Sequence, residues 1–281
     1  MFSILIASFN NIDYLKLCLN SINKNSKYNH EIIIHVNDGS DGTLEYVKEN
    51  NIKHTSTNKN VGLCTSINLA YKLSTKKYIL YSHDDMYFCP EWDKILYDEI
   101  NKIKHEKFYI CGTMIQVSGA HISLDCGNTV ESFNEKKLLS NYKKSNYFDH
   151  QGSHFAPHVV TRKIWNNVGG FSEEFNPGIG SDPDFNMKLW EQGIRIYKGL
   201  NDFKVYHFGS KTTRNNVDIV KNRGDVTFIK KWGISIKFFK KFYLKTNTKY
   251  NGPLNEPKKS FDYLVSYLLT KFHYYIIKIF K

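Results

Sequence analysis

The sequence lacks any closely spaced pair of cysteines. Its cysteines are odd in number and widely separated (Cys18, Cys64, Cys89, Cys111 and Cys126). A disulfide framework would need an even, regularly spaced set, and a structural zinc site would need paired thiols. The pattern therefore predicts reduced thiols, which are typical of a cytoplasmic protein.

Long apolar stretches are also missing. No run of about 18 uncharged apolar residues is present, so the sequence predicts no membrane-spanning helix. Met1-Phe2-Ser3 leads directly into a strand-like run without a basic region or a cleavage site, and we expect no signal peptide. Hydrophobic residues make up 41% of the 281 residues, which is enough for one large domain or one domain with an appendage.

Acidic residues are scarce relative to basic ones. There are 27 Asp and Glu against 39 Lys and Arg, which gives a formal net charge of +12. Such a surplus attracts the phosphates of nucleotides, nucleic acids and anionic lipids without choosing among them. No nucleic-acid-binding motif accompanies the charge, and we expect no nucleic-acid partner.

The amino-terminal half alternates between buried-strand runs and helical spacing. Strands are predicted at residues 3–7, 31–36, 52–55, 78–81 and 108–117. Helices between them predict a mostly parallel sheet with crossover connections. Ligands of such sheets bind at the carboxyl ends of the strands, where polar loops collect.

Two adjacent carboxylates, Asp84 and Asp85, follow the apolar run 78–81. Each would raise the pKa of the other, and a divalent cation that prefers oxygen ligands would relieve the repulsion. The alternative is a solvated turn that caps the next helix. The residues alone leave both interpretations open.

A second carboxylate pair, Asp182 and Asp184, begins a predicted helix behind Gly178 and Gly180. Glycines let a ligand come close to the backbone, whereas acidic residues at this position also cap helices without any ligand.

Two short strands are predicted at 194–197 and 204–206. His207 follows the second one and is a candidate third metal ligand.

The region between these motifs is less regular. Residues 118–149 are polar and predict an irregular loop or an acceptor-side insertion. His150, His154 and His158 recur every four residues, but Gly152 and Pro157 argue against the helix that a zinc face would need.

Taken together and in their order along the chain, the sequence motifs resemble those of family 2 glycosyltransferases over about residues 2 to 232. The matching pieces are 7–10, 37–40, 60–62 with Asn68, 83–85, 169–171, Asp182 and His207. The resemblance implies a GT-A (Rossmann-like) α/β/α sandwich with a mostly parallel mixed central sheet. It implies a catalytic domain at 1–232, followed by an extension at 233–281 that we predict to be helical.

The resemblance also implies an inverting transfer of a sugar from a nucleotide sugar, expected to be a UDP-sugar, to a hydroxyl of a glycan or glycolipid. Asp85 and His207 would bind Mn²⁺ or Mg²⁺, and Asp182 would be the general base, with Asp184 in reserve. The remaining residues are expected to contact the nucleotide, with Asp38 at the base and Asp84 at the ribose (Ala7, Phe9, Asn10, Asp38, Asn60, Gly62 and Asp84).

This chain departs from the family pattern at three positions. His83 stands where an acidic residue of the metal motif is usual, and Ser181 replaces a Glu before the predicted base. Ile67 replaces an Arg whose charge Lys59 or Arg162 could supply. A non-catalytic nucleotide- or carbohydrate-binding module is therefore the alternative function.

The carboxyl-terminal extension alternates basic and aromatic residues at 237–243 and predicts an amphipathic helix at 261–280. Such a helix can lie on an anionic membrane surface, with its lysines reaching the headgroups. It can equally pack on the catalytic domain or on a partner subunit.

Overall fold

The computed structural model describes residues 1–144, 147–152, 156–209 and 223–279. Ten strands in this part of the chain form one mixed sheet in the order β3-β2-β1-β4-β9-β6-β10-β5, with β7 beside β6 and β8 beside β10. The strands are β1 Phe2–Phe9, β2 Glu31–Asn37, β3 Lys53–Thr57, β4 Tyr78–His83, β5 Met86–Phe88, β6 Phe108–Gln116, β7 Ile122–Ser123, β8 His150–Gln151, β9 His158–Thr161 and β10 Ile196–His207.

Helices pack around this sheet. They are α1 Ile12–Asn25, α2 Thr43–Glu49, α3 Leu63–Tyr71, α4 Trp92–Lys102, α5 Glu135–Asn141, α6 Arg162–Val168, α7 Ser181–Glu191, α8 Gly224–Trp232, α9 Ile236–Phe238 and α10 Phe261–Ile279. A 3₁₀ turn at Glu173–Phe175 precedes α7, and a π-helical turn at Phe239–Leu244 continues α9.

The first four strands run parallel. The apolar runs of β1, β2 and β4 are typical of strands that are covered on both faces, whereas β3, at the edge of the sheet, is polar and partly exposed. In the register, Phe9 is opposite Asn37, Asn37 is opposite Thr57, and Ala7 is opposite His83. The carboxyl ends of β1, β2, β3 and β4 therefore meet at one edge of the sheet, and we call it the site edge.

The two short strands predicted at 194–197 and 204–206 are one strand, β10, and that prediction is corrected. Its register against β6 shifts between Leu200 and Lys204, which is a β-bulge. Asn201 and Asp202 lie in this bulge and interrupt the apolar pattern, so the sequence gives the impression of two strands. The far end of β10 pairs antiparallel with β5, with His207 opposite Met86.

The polar segment 118–149 contains structure of its own. It includes β7 and α5, and the Asn134 side chain caps α5 by accepting a hydrogen bond from the backbone N–H of Lys137 at 2.9 Å. Leu138 and Tyr142 belong to a small hydrophobic cluster that also includes Tyr206. This segment therefore folds against the outer strands of the sheet.

The histidines with four-residue spacing are not on a helix. His150 lies in β8, and His158 lies in β9, where its ring packs between Tyr109 and Phe185. His154 lies outside the described residues. The expectation that Gly152 and Pro157 prevent a helix is confirmed for the part of the segment that the structure describes.

The carboxyl-terminal extension packs on the sheet domain. Phe238, Phe239, Leu254 and Tyr263 belong to the same hydrophobic cluster as the strands β1 and β4. The division at residue 232 stays a prediction, because core residues come from both sides of it. No helix within the described ranges has the length and apolar character that crossing a bilayer requires.

Candidate active site

Two buried carboxylates lie at the site edge, directly after β4. Asp84 accepts a hydrogen bond from the Ser8 hydroxyl of β1 at 2.8 Å. Burial, and then the neighbouring charge of Asp85, raises the pKa of the Asp84 carboxyl. The two side chains are therefore held inside the protein, and the interpretation as a solvated turn does not describe them.

Asp85 lies between two histidines. Its Oδ1 is 3.3 Å from Nε2 of His207 and 3.9 Å from Nδ1 of His83. One ligand atom from each of the three residues lies within 4.8 Å of the other two. The pairing of β5 with β10 brings His207 close to Asp85, although the two residues are far apart in sequence.

The donor atoms of this group fit a divalent ion. Burial lowers the pKa of the His83 imidazole to about 4, so the ring is neutral at pH 7 and can act as a ligand. Nε2 of His207 is buried and has no hydrogen-bond partner among the described residues. Two imidazoles and one carboxylate form a donor set that first-row transition metals accept readily.

Side chains behind the group orient its rings. The Tyr81 hydroxyl is 2.9 Å from Nε2 of His83, which turns Nδ1 of His83 toward Asp85. The side-chain amide of Gln116, at the end of β6, contacts Nδ1 of His207. Such contacts behind metal-binding histidines fix the ring orientation. Sequence reasoning missed Gln116, because no local motif marks it.

His83 was not expected among the ion ligands, because it stands where an acidic residue of the metal motif is usual. The structure nevertheless places it in the group with Asp85 and His207. His83 ends β4 and Asp85 lies in the turn that follows, so the contact depends on this turn and no strand periodicity marks it.

The loops after β1 and β2 bring Asn10 and Asp38 together. The Asn10 side-chain amide donates to Asp38 Oδ2 at 3.0 Å, and its Oδ1 accepts from the backbone N–H of Gly39 at 3.0 Å. Both residues have positive φ angles, 45° for Asn10 and 63° for Asp38, which Asn and Asp tolerate better than most residues. Ala7 and Phe9 are partly exposed at the end of β1, and Phe9 directly precedes Asn10.

The loop after β3 positions Asn60 and Gly62. Oδ1 of Asn60 accepts from the backbone N–H of Gly62 at 2.9 Å, and Asn60 itself is exposed. Gly62 is buried against Asn176, and a Cβ at position 62 would lie 2.5 Å from Asn176 Oδ1. Gly62 is thus required for packing at the start of α3.

Asp182 and Asp184, in the first turn of α7, differ in their environments. Asp184 is fully buried and accepts hydrogen bonds from the Ser172 hydroxyl at 2.7 Å and the Trp232 indole at 2.8 Å, with Lys231 Nζ at 2.9 Å. Asp182 Oδ1 has no hydrogen-bond partner among the described residues. Burial raises the pKa of Asp182 to about 7.

The Tyr81 hydroxyl lies behind the histidine–aspartate group, where it contacts Nε2 of His83 at 2.9 Å. Burial first, and then the charges of Asp182, Cys64, Asp85 and Asp84, raise its pKa. That Asp182 belongs to the same site as the histidine–aspartate group stays a prediction.

Lys59 and Arg162 were suggested as replacements for the missing Arg, but Arg162 lies away from the site edge. The Arg162 guanidinium donates to the carbonyl oxygen of Lys76 at 2.8 Å and to the Ser74 hydroxyl at 3.0 Å. Lys76 precedes β4, at the end of the strand opposite to Asp84, so the suggestion for Arg162 is corrected. Lys59 is exposed after β3, at the site edge.

The mixed sheet, its surrounding helices and the convergence of polar side chains at one strand edge define the GT-A fold, as the resemblance predicted. The chain also matches the model of glycosyl transferase family 2 over residues 3–161. That match covers more than half of the sequence, and the chain belongs to this family. No curated protein matches it significantly.

Solved structures with low sequence identity share the fold. S. aureus TarS 1–349 has a TM-score of 0.56 at 18% identity, and the match covers 73% of this chain and 60% of TarS 1–349. The same TarS fragment in complex with UDP-GlcNAc gives a TM-score of 0.55 at 17% identity, covering 74% of this chain and 60% of that one. GalNAc-T7 with UDP, GalNAc and Mn²⁺ gives 0.56 at 16% identity, covering 74% of this chain and 43% of that one. This chain thus matches less than two thirds of each of these proteins.

Proposed function

We propose that this protein is a metal-dependent, inverting glycosyltransferase that moves a sugar from a UDP-sugar to a hydroxyl of a glycan or glycolipid. The observation that carries the proposal is the His83–Asp85–His207 group at the site edge, in which one ligand atom from each residue lies within 4.8 Å of the other two. The Asp182 carboxylate supports the proposal, because its buried Oδ1 has no hydrogen-bond partner among the described residues. Sugar transfer needs both functions, charge stabilisation at the leaving group and a base for the acceptor.

Asn10 and Asp38 are the proposed contacts of the nucleotide base, because a carboxylate can accept a hydrogen bond from a ring N–H of uracil. Ala7 and Phe9 would line the same pocket, and Asn60 and Gly62 would border it. Asp84 would accept hydrogen bonds from the ribose hydroxyls. The TarS complexes with UDP and with UDP-GlcNAc support the choice of a uridine nucleotide for this protein.

His83, Asp85 and His207 are the proposed ligands of a divalent ion. Mn²⁺ fits this donor set better than Mg²⁺, because Mg²⁺ prefers oxygen ligands and Mn²⁺ also accepts imidazole nitrogen. Such an ion would neutralise the negative charge that builds on the departing diphosphate. The Mn²⁺ in the GalNAc-T7 structure supports this assignment.

Asp182 is the proposed general base. Its carboxylate would take the proton of the acceptor hydroxyl while that oxygen forms a bond to the anomeric carbon and the bond from this carbon to the UDP oxygen breaks. Attack from the face opposite to the leaving group inverts the anomeric configuration. Asp184, the reserve candidate, already binds three side chains, and we assign it the role of holding α7 to α8.

The test is turnover of a panel of UDP-sugars with Mn²⁺ by the wild type and by Asp182→Asn. We expect the variant to lose about 10²- to 10⁴-fold in kcat, the usual contribution of a general base. Its thermal stabilisation by UDP and Mn²⁺ should remain, since Asp182 is not assigned to the donor. Asp98→Asn, an exposed change on α4, is the matched control. Full activity of Asp182→Asn would refute the assignment of the base.

The second candidate function is a binding module without catalysis. Ser181 favours it, because this residue is buried and donates to the carbonyl oxygen of Gly178 at 2.6 Å, leaving no carboxylate at this position. A binding module would be stabilised by a UDP-sugar but would show neither transfer nor hydrolysis with any donor. Turnover that depends on Asp182 would exclude it.

A further inference from the structure

The last helix, α10, is attached to the protein along one face. Thr270 accepts a hydrogen bond from the backbone N–H of Ser235 at 2.7 Å. The Tyr263 ring packs on Phe238, with 5.1 Å between the ring centroids. Ile277 is buried in a cluster with residues of α8. These contacts fix the rotation of the helix about its own axis.

The opposite face of α10 is apolar and exposed. Nine of the twelve large hydrophobic side chains that are exposed in the described part of the chain lie on this helix. Phe261, Leu268, Leu269, Phe272 and Ile279 have 65% to 83% of their surface exposed. Spacings of three, four and seven residues place them on one continuous face. An exposed patch of this kind marks an interaction surface.

The extension that carries this face is rich in positive charge. Residues 233–279 contain nine lysines and no arginine, against only two acidic residues, Glu256 and Asp262. Glu256 is paired with Arg195 at 2.5 Å, and Asp262 is paired with Lys241 at 2.8 Å. The extension therefore carries an excess of lysine over acidic residues. Lys271 and Lys278 lie on α10 itself.

We propose that the exposed face of α10 docks on the surface of an anionic lipid bilayer, with the helix axis in the plane of the interface. Apolar side chains would enter the boundary between headgroups and acyl chains, and the lysines would contact the phosphates. A second copy of the chain is a poorer occupant, because two molecules with a formal charge of +12 repel each other. The docking is independent of the proposed sugar transfer, and its test uses no activity.

The experiment is flotation of the full chain with vesicles of phosphatidylcholine, with and without phosphatidylglycerol. The wild type should bind the anionic vesicles and lose binding as salt is raised. The double variant Leu268→Glu with Phe272→Glu should lower the binding constant at least about tenfold, because both side chains are exposed in solution and buried only on the membrane. Lys271→Gln with Lys278→Gln should lower it roughly tenfold on anionic vesicles only.

The matched control is Val117→Glu with Phe148→Glu, two exposed apolar positions outside α10. It should bind vesicles as the wild type does, and unchanged melting temperatures of all variants would show intact folding. Equal flotation of the wild type and the Leu268→Glu/Phe272→Glu variant would overturn the proposal. A wild-type dimer without vesicle binding, which the same substitutions dissociate, would assign the face to a second copy instead.

Discussion

At the scale of single residues, His83 is the most distinctive feature of the site. A carboxylate at this position would give the ion a harder ligand set, whereas the imidazole gives it two nitrogens and one carboxylate with His207 and Asp85. Softer donors shift the preference among divalent ions toward the transition metals. The imidazole of His83 is thus expected to favour a transition-metal ion such as Mn²⁺ over Mg²⁺.

This difference leads to a prediction for two variants. His83→Ala should raise the Mn²⁺ concentration needed for half-maximal thermal stabilisation by UDP about tenfold or more, since loss of a ligand or of its support costs this much. His83→Asp should recover binding and improve stabilisation by Mg²⁺ relative to Mn²⁺. The melting temperature, measured against each ion, checks both. An unchanged ratio between the two ions in His83→Asp would contradict the assignment.

The sequence predicted part of this site and missed part of it. Asp85 and His207 were expected as ligands from the resemblance to family 2 glycosyltransferases, and the structure brings them together although their role stays a prediction. Gln116 could not be found in this way, since its contact with His207 depends on β6 and β10 being neighbours. The roles of Asp84 and Asp182 stay predictions, although the structure shows that burial raises the pKa of both carboxyls.

At the scale of secondary-structure elements, the start of α3 depends on a close approach between two loops. Oδ1 of Asn176 accepts from the backbone N–H of Cys64 at 3.0 Å, and its Nδ2 donates to the Thr65 hydroxyl at 2.8 Å. Gly62, with a φ of 84°, lets Asn176 reach this position. The loop after β3 and the turn before α7 are thereby held together.

We expect Gly62→Ala to lower the free energy of unfolding by about 2–4 kcal/mol, from backbone strain together with the displaced helix cap. The control is Gly119→Ala, which has a similar φ of 82° but no atom within 4 Å of the added Cβ. It should cost about 1–2 kcal/mol, for strain alone. Urea unfolding measures both, and equal losses would show that the contact with Asn176 is unimportant.

Element prediction succeeded where one local pattern dominates. The strands β1, β2 and β4 each contain a run of buried apolar residues and were found close to their observed bounds. β10 was divided because its bulge places polar residues inside a strand. Segment 118–149 was predicted without elements because β7 and α5 are short and depend on packing with distant residues.

At the scale of the whole molecule, buried ionisable groups link stability to pH. Burial lowers the pKa of His35, His83 and His150 to about 4, and that of His121 to about 3. The unfolded chain binds protons on these rings near pH 6.5, whereas the folded chain does not. The free energy of unfolding therefore decreases through these histidines as the pH falls from about 6.5 to about 4. Asp84 and Asp182, with raised pKa values, act in the opposite direction.

Because more histidines than carboxyls are shifted in this way, we expect a net loss of stability between pH 6.5 and 4.5. His35→Gln should flatten this dependence, since His35, on β2, is fully buried and contacts the hydroxyls of Thr55 and Thr57 on β3. The exposed His273 provides the control His273→Gln, which should leave the slope unchanged. Urea unfolding over this pH range measures the slopes. A slope in His35→Gln equal to that of the wild type would contradict the prediction.

The antiparallel pairing of β5 with β10 also has a kinetic consequence. His207 reaches Asp85 only after β10, which is distant in sequence, has joined the sheet, and contacts of such high sequence separation form slowly. An ion bound by both residues would therefore stabilise the completed sheet and not its early intermediates. It would slow unfolding, with little influence on the rate of folding.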